Sequence, residues 1–311
     1  MAFVPPARHQ ALMKRIRICC YVMLALVALA SNSILCRLAL AEEEIDAASF
    51  TVIRMLSGVA ALAFLLFLSG RKSNVNSAST SEHSATGSWH AAFMLLLYAI
   101  AFSYAYVSLD TGVGALILFG SVQITIICVG LISGQKLHVL EWFGVGLAFA
   151  GFTYLVLPGA AAPSILGLFL MSTAGIAWGF YTLAGKKSKN PFRDTTFNFF
   201  RTVPVVIALA LYAVTQADIS LRGVILAMLS GAIASGLGYT LWYTVLAWLT
   251  AIQAGVLQLL IPVIAAVGGI IFANEILTLR FVLSSVMILT GILIVIFGKY
   301  SVTCLHRKNL K

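Results

Sequence analysis

Ser49-Phe50-Thr51-Val52-Ile53-Arg54 and Thr196-Phe197-Asn198-Phe199-Phe200-Arg201 are two versions of one phrase, an aromatic residue followed four positions later by arginine. Each opens an apolar stretch long enough to cross a bilayer, which takes roughly 20 residues. A second correspondence lies farther along. Leu109–Ala115 aligns without gaps on Leu249–Gly255, and in that register Gln135 meets Glu275, Leu137 meets Leu277 and Gly151 meets Gly291. Together these matches lay the first five apolar stretches over the last five. Because five is odd, the second set enters the membrane in the opposite direction. Inverted repeats of this kind are a transporter architecture, with the substrate site between the halves near the midplane.

The composition demands a membrane. Apolar residues make up 61% of the 311-residue chain and charged residues 10%, against about 45–50% and about 25% in a soluble domain. Too few charges remain to coat a water-exposed surface. The apolar stretches run from about Ile16 to Leu40, Ala47 to Ser69, Trp89 to Leu109, Gly112 to Ser133 and Val139 to Leu157. The second set runs from about Ile165 to Ala184, Thr195 to Thr215, Arg222 to Leu249, Ala251 to Ala273 and Leu279 to Gly298. The N-terminal run continues past the small-residue Ala28-Leu29-Ala30 site to Leu40, so it reads as a retained first helix and not as a signal peptide. The fold expected is an all-α polytopic membrane protein, ten transmembrane helices in two inverted five-helix repeats. Its expected parts are a cytoplasmic N-terminus (1–15), a first repeat (16–157) with a flexible, Ser-rich cytoplasmic loop (71–88), a connecting loop (158–164), a second repeat (165–298) and a cytoplasmic tail (299–311).

The net charge of +10 does not signify nucleic acid, because it is sorted by side. Arg8, Lys14, Arg15, Arg17, Arg71, Lys72, Lys136, Lys186, Lys187, Lys189, Arg193 and the basic tail fall on one face if there are ten spans. The other face receives Arg37, Arg222 and Arg280 among Glu42, Glu43, Glu44, Asp46, Asp110, Asp218 and Glu275. The positive-inside rule makes both termini cytoplasmic, which predicts a multi-pass protein of the cytoplasmic (inner) membrane. The five cysteines match no metal or haem spacing. All five histidines lie in termini, loops or helix ends, no lysine sits mid-helix, and Gly185-Lys186-Lys187 lacks the Walker spacing. No metal, cofactor or catalytic residue is expected; the partners expected are a small-molecule substrate and the lipid bilayer.

The chain resembles the ten-helix EamA-type members of the drug/metabolite transporter superfamily. Carrying the resemblance are the aromatic-x-x-x-Arg openings, Leu257-Gln258-Leu259-Leu260-Ile261-Pro262, Asn274-Glu275-Ile276-Leu277 and a final apolar helix containing Gly291. It implies a cytoplasmic-membrane carrier, often an exporter of amino acids or other metabolites. Two positions depart from the pattern: the acidic residue after the fourth helix is Gln135, and the Glu-Pro pair of the ninth reads Ile261-Pro262. Of those carboxylates only Glu275 remains, and with Pro262 it is the candidate for coupling or gating.

Ionisable residues inside a bilayer are costly and so are functional candidates. Arg54 lies eight positions after Asp46 and Arg201 seven after Asp194, which puts each roughly 10–12 Å inside its own membrane face. Either arginine could bind an anionic group through paired hydrogen bonds; each could equally snorkel or fix helix packing. No Asp or Glu falls near mid-helix, which argues against a carrier of lipophilic cations and for a neutral, zwitterionic or anionic substrate. Helical spacing groups Tyr239, Trp242 and Tyr243 on one face, and Tyr98, Phe102 and Tyr106 on another; Trp178 and Tyr181 add a third set. These are candidate pocket walls or plain packing. Asn32, Gln123 and Gln258 are polar groups that lipid cannot satisfy and should face the interior. Gly130-x-x-x-Gly134 and the small residues from Ser230 to Gly238 would let helices approach closely. The function expected is alternating-access transport, in the outward direction, of a small neutral, zwitterionic or anionic metabolite such as an amino acid, with an organophosphate or nucleotide-sugar exchanger, or a non-transporting scaffold, as alternatives.

Overall fold

A computed structural model describes residues 7–73, 87–134, 137–157, 163–186, 188–214, 219–246, 248–249, 254 and 257–308. The first half comprises α1 (Ala7–Ala41), α2 (Ala47–Ser73), α3 (Trp89–Tyr106), α4 (Thr111–Ile132) and α5 (Val139–Val156). The second comprises α6 (Ile165–Gly185), α7 (Pro191–Ala213), α8 (Leu221–Leu246), α9 (Leu260–Ala273) and α10 (Leu279–Lys308). Among the described residues nine helices are long and apolar enough to span a membrane, and α9 is a shorter apolar helix of the same kind. Helix starts are set locally. The side chains of Ser88, Ser164, Asn190 and Ser220 each accept the backbone N–H three residues on, capping α3, α6, α7 and α8. Outward-facing Phe64, Phe93, Phe149, Phe169 and Phe272 are more than half exposed, as an apolar solvent permits.

The inverted repeat is written in the helix contacts. Exchanging each helix for its mate five places on turns α3 against α6 into α8 against α1, and α4 against α6 into α9 against α1; all four packings occur. The same exchange leaves α2 against α7, α4 against α9 and α5 against α10 unchanged, and these also occur. A pseudo-twofold axis therefore relates the halves, with α2 and α7 facing across it. Close approach at two of these crossings depends on glycine. The Gly144 and Gly291 backbones of α5 and α10 press on each other so closely that a Cβ at Gly144 would sit 2.6 Å from the Gly291 carbonyl. On α2, a Cβ at Gly58 would lie 2.6 Å from the Phe199 ring of α7.

The helices depart from the sequence expectations at three points. Residues 230–237 of α8 wind as a π-helix, so the run Ser230-Gly231-Ala232 to Gly238 does more than thin a packing surface. Such segments widen the turn and re-aim side chains, frequently at functional sites. Pro262, the coupling or gating candidate, stands in the first turn of α9, where its missing N–H costs no hydrogen bond. Gly134 does not support a close crossing. It ends α4 with φ +85° and has nothing within 4 Å of a built Cβ, which makes it a helix-terminating residue. In addition, α10 continues helically to Lys308 through the stretch expected as a tail.

Gly231, inside the π segment, touches the first half directly: a methyl group there would run into the Arg54 carbonyl and the Ser57 hydroxyl. Gly231→Ala is expected to lower stability by about 1–3 kcal/mol through overpacking, measured as a fall in melting temperature in detergent. Gly146→Ala, where nothing lies within 4 Å, should leave it unchanged or slightly raised.

Candidate functional site

Arg54 is 1% exposed, and its α2 backbone lies against the π segment of α8. Its Nε donates to Ser235 Oγ (3.3 Å), and its Nη2 donates to the hydroxyls of Tyr98 (3.1 Å) and Tyr239 (2.9 Å). The guanidinium also lies over the rings of Phe102 (4.9 Å) and Tyr98 (5.2 Å). Among the described residues no carboxylate pairs with it, and Nη1 has no hydrogen-bond partner. Asn32, brought in by α1, tightens the same knot. Its Nδ2 reaches the hydroxyls of Tyr239 (3.0 Å), Ser235 (3.2 Å) and Tyr98 (3.3 Å), while its Oδ1 accepts from Ser230. Residues from α1, α2 and α3 thus meet α8 of the other half around one buried cation.

The aromatic faces foreseen from spacing assemble around this knot. Trp178 of α6 packs on Tyr98 and Tyr239, with ring centroids 4.9 and 4.6 Å apart. Tyr98, Phe102 and Tyr106 form a ladder up α3, and Phe199 of α7 stands 6.2 Å from Tyr239. Tyr181 and Tyr243 pair with each other at the far end of the cluster, where the Tyr243 hydroxyl reaches the Tyr181 carbonyl. Tyr106 turns away: its hydroxyl donates to the Thr111 carbonyl at the α3–α4 connection. Trp242 is fully buried, its Nε1 without a partner. Gln123 and Gln258 form a separate buried pair, Nε2 to Oε1 3.3 Å, linking α4 to the residues just before α9.

Arg201 does not join the knot. It is half-buried, its guanidinium 5.5 Å from the Trp89 ring and its Nη1 close to Gly87, at the N-terminal end of α3. The two arginines match in sequence, but only Arg54 faces a widened helix that opens room for it. Ser230 and Ser235 were not singled out as polar contacts. Their signal was the small-residue run, which periodicity reads as packing because a π turn shifts register without a sequence mark of its own.

Glu275 lies elsewhere, on the acidic face. Asn274 closes α9 in the left-handed conformation (φ 51°), which turns the chain so that Glu275 accepts from Thr111 N (2.7 Å) and Thr111 Oγ1 (2.8 Å) at the start of α4. Arg37 of α1 completes the cluster, with Nε 3.5 Å from Glu275 and Nη2 3.1 Å from Asp110. A cleft of about 300 Å³ opens beside it, lined by Ser108, Asp110, Ser164, Glu275 and Phe281 among others. On the same face Arg222 of α8 pairs with Glu42 and Glu44, Ser220 donates to Glu44, and Ile45 bridges Ile219. Charges therefore stitch the halves together there. The opposite, basic face is stitched by neutral donors: Gly87 N to Asp194 (2.8 Å) and Ser88 N to Asn198 (2.9 Å).

Comparison with known proteins settles the class. The EamA-like transporter family model matches residues 16–157 and again 165–297. The chain belongs to this family. A protein of Pseudomonas aeruginosa named only as uncharacterized is 43% identical over 274 residues, covering 88% of this chain and 92% of that one. An "Uncharacterized transporter" of Archaeoglobus fulgidus is 26% identical, covering 66% of this chain and 74% of the relative. The "Probable amino-acid metabolite efflux pump" of Escherichia coli strain K12 is 24% identical, covering 67% and 73%. A protein of known crystal structure, 12% identical, shares the fold with a TM-score of 0.59 over 88% of this chain and 95% of its own. This EamA-like chain is a multi-pass membrane transporter of the drug/metabolite superfamily, and the family is one of carriers, not of enzymes.

The acidic-face seam is pH-sensitive in a definite sense. The Ser220 hydroxyl first, and then Arg222, hold the Glu44 carboxyl below its ordinary value of 4.5. A depressed value means that the stabilisation is complete above the ordinary range and is lost as pH falls through the lowered one. The melting temperature should therefore drop on the acid side of 4.5; Glu44→Gln should flatten that part of the profile and lower the plateau at neutral pH.

Proposed function

We propose that this transporter carries a small neutral, zwitterionic or anionic metabolite, such as an amino acid, outward across the cytoplasmic membrane. It does so by alternating access between its two halves. The observation that carries the reading is Arg54: a fully buried guanidinium at the junction of the halves, held by neutral hydroxyls and faced by no carboxylate among the described residues. A fixed positive charge in a low-dielectric interior repels cationic cargo and favours an anionic group. Organophosphates and nucleotide sugars, which bring two or more negative charges, would call for further bases; around the knot there is one. The outward direction draws on the name of the Escherichia coli relative. Both termini lie in the cytoplasm on this reading, since the basic face carries the arginine and lysine excess.

Motion would use the two seams in turn. Opening the acidic face parts Arg37 from Glu275 and Arg222 from Glu42 and Glu44, while opening the basic face parts Gly87 and Ser88 from Asp194 and Asn198. The π segment, in contact with α1 and α2, is the joint about which the knot can reshape.

Reconstitution into liposomes with a panel of labelled amino acids and other small metabolites tests the proposal. Transport of at least one zwitterionic or anionic compound is expected. Arg54→Gln should lower kcat/KM by roughly ten- to hundredfold, the worth of a charge-assisted hydrogen bond, whereas Arg201→Gln should cost far less. Movement of quaternary ammonium compounds alone, or of nothing in the panel with correctly folded protein, would sink it.

A further inference from the structure

The hydrogen-bond inventory of the knot does not balance, and the imbalance has a sign. Arginine brings five N–H donors and no acceptor. Nε and Nη2 of Arg54 find Ser235, Tyr98 and Tyr239, but Nη1 finds nothing. Asn32 spends its amide donors on the same three hydroxyls. The Tyr98 oxygen already receives Arg54, Asn32 and Tyr239. Trp178, whose ring packs on both tyrosines, has a buried Nε1–H without a partner among the described residues. Three hydroxyl oxygens and one amide oxygen must serve more donors than they can accept. Buried polar groups are almost always satisfied, so the two orphan N–H groups of Arg54 and Trp178 describe what is to fit beside them: an acceptor.

We infer that the site is a receptor for one carboxylate, with Arg54 Nη1 and Trp178 Nε1 as its donors, and that it holds no receptor for a substrate ammonium group. The inference rests on the reading of Arg54 as the substrate site and narrows it. A carboxylate offers two oxygens and about four lone pairs, enough for both orphan donors. Its single negative charge matches the single guanidinium. An ammonium group would add three more donors to hydroxyls that already serve Arg54 and Asn32, and the unpartnered Tyr181 hydroxyl belongs to the Tyr181–Tyr243 pair and not to the Arg54 knot. Cation–π recognition offers no way round this, because the Arg54 guanidinium already lies over Tyr98 and Phe102, and the Trp178 ring is packed by Tyr98 and Tyr239. An α-amino group is therefore tolerated and not read. The carrier takes 2-hydroxy acids as readily as the amino acids that share their side chain.

The test is calorimetric titration of the purified full-length chain in detergent with matched sets. L-Phenylalanine, L-3-phenyllactate and L-phenylalanine amide form one set; leucine, its hydroxy acid and its amide form the other. In at least one set the two acids should bind within about threefold of each other, and the amide at least tenfold more weakly, a gap of about 1.4 kcal/mol. Trp178→Phe keeps the ring and removes only the N–H; it should weaken both acids by about tenfold and leave the amide unchanged. Equal binding of amide and acid, failure of a hydroxy acid whose amino acid binds, or binding by no acid overturns the inference. So does a Trp178→Phe effect that is absent or the same for acid and amide. Liposome transport separates the two levels: amides carried alongside acids would remove this inference and leave the proposed function standing, whereas no cargo at all would remove both.

Discussion

A guanidinium held out of water inside a lipid-spanning bundle sets the terms for everything around it. Arg54 cannot deprotonate in practice, so its charge must be solvated by the protein itself. Here that work falls to the hydroxyls of Tyr98, Tyr239 and Ser235 and to two aromatic faces. Those groups come from α3 and from α8 of the opposite half, which means that the halves cannot separate at this level without exposing the charge. The π segment follows from the same demand, since Ser235 belongs to the widened turn and Ser230 orients Asn32 toward the same hydroxyls.

Pseudo-symmetry supplies the framework and is then broken where chemistry is needed. The principal helix packings obey the exchange of halves. The side chains do not. Arg54 is enclosed, while its sequence mate Arg201 rests against Trp89 near one face. Two equivalent buried cations would make two equivalent polar knots; among the described residues there is a single one, built on the arginine of the first half.

Much of this was legible in the sequence, and what was not has identifiable causes. Apolar runs, the odd-numbered repeat and the sorted charges speak of backbone in lipid, where a helix is the only answer for each stretch. The family resemblance was legible in the Phe50-x-x-x-Arg54 phrase and its echo together with Leu257–Pro262, Asn274–Leu277 and the helix of Gly291. Asn32 was identifiable as inward-facing because a polar side chain at that depth has nowhere else to go, and helical spacing grouped Tyr98, Trp178 and Tyr239 on candidate faces without deciding between a pocket wall and plain packing. Partnerships were not legible, because they depend on the rotation of helices far apart in the chain. Asn32 to Ser235 and Thr111 to Glu275 are contacts of this kind. Nor could the sequence tell Arg54 from Arg201, since the difference is made by the π turn facing only one of them. Glu275 was noticed as a surviving acid, but its role as the cap of α4 and partner of Arg37 required both helices to be in place.

The two faces are closed by different forces, and the surrounding solution can tell them apart. Arg222 and Glu42 are each about half exposed, so mobile ions reach them, and over a Debye length of about 10 Å at 0.1 M salt their attraction is damped. In the contacts at Gly87 and Ser88 the donors are neutral backbone amides, one of them ending on the Asp194 carboxylate, so these contacts respond less to the ionic medium than a pair of opposite charges does. Ionic strength is therefore not a neutral background for this molecule: it loosens the seam of paired charges more than the seam of backbone amides.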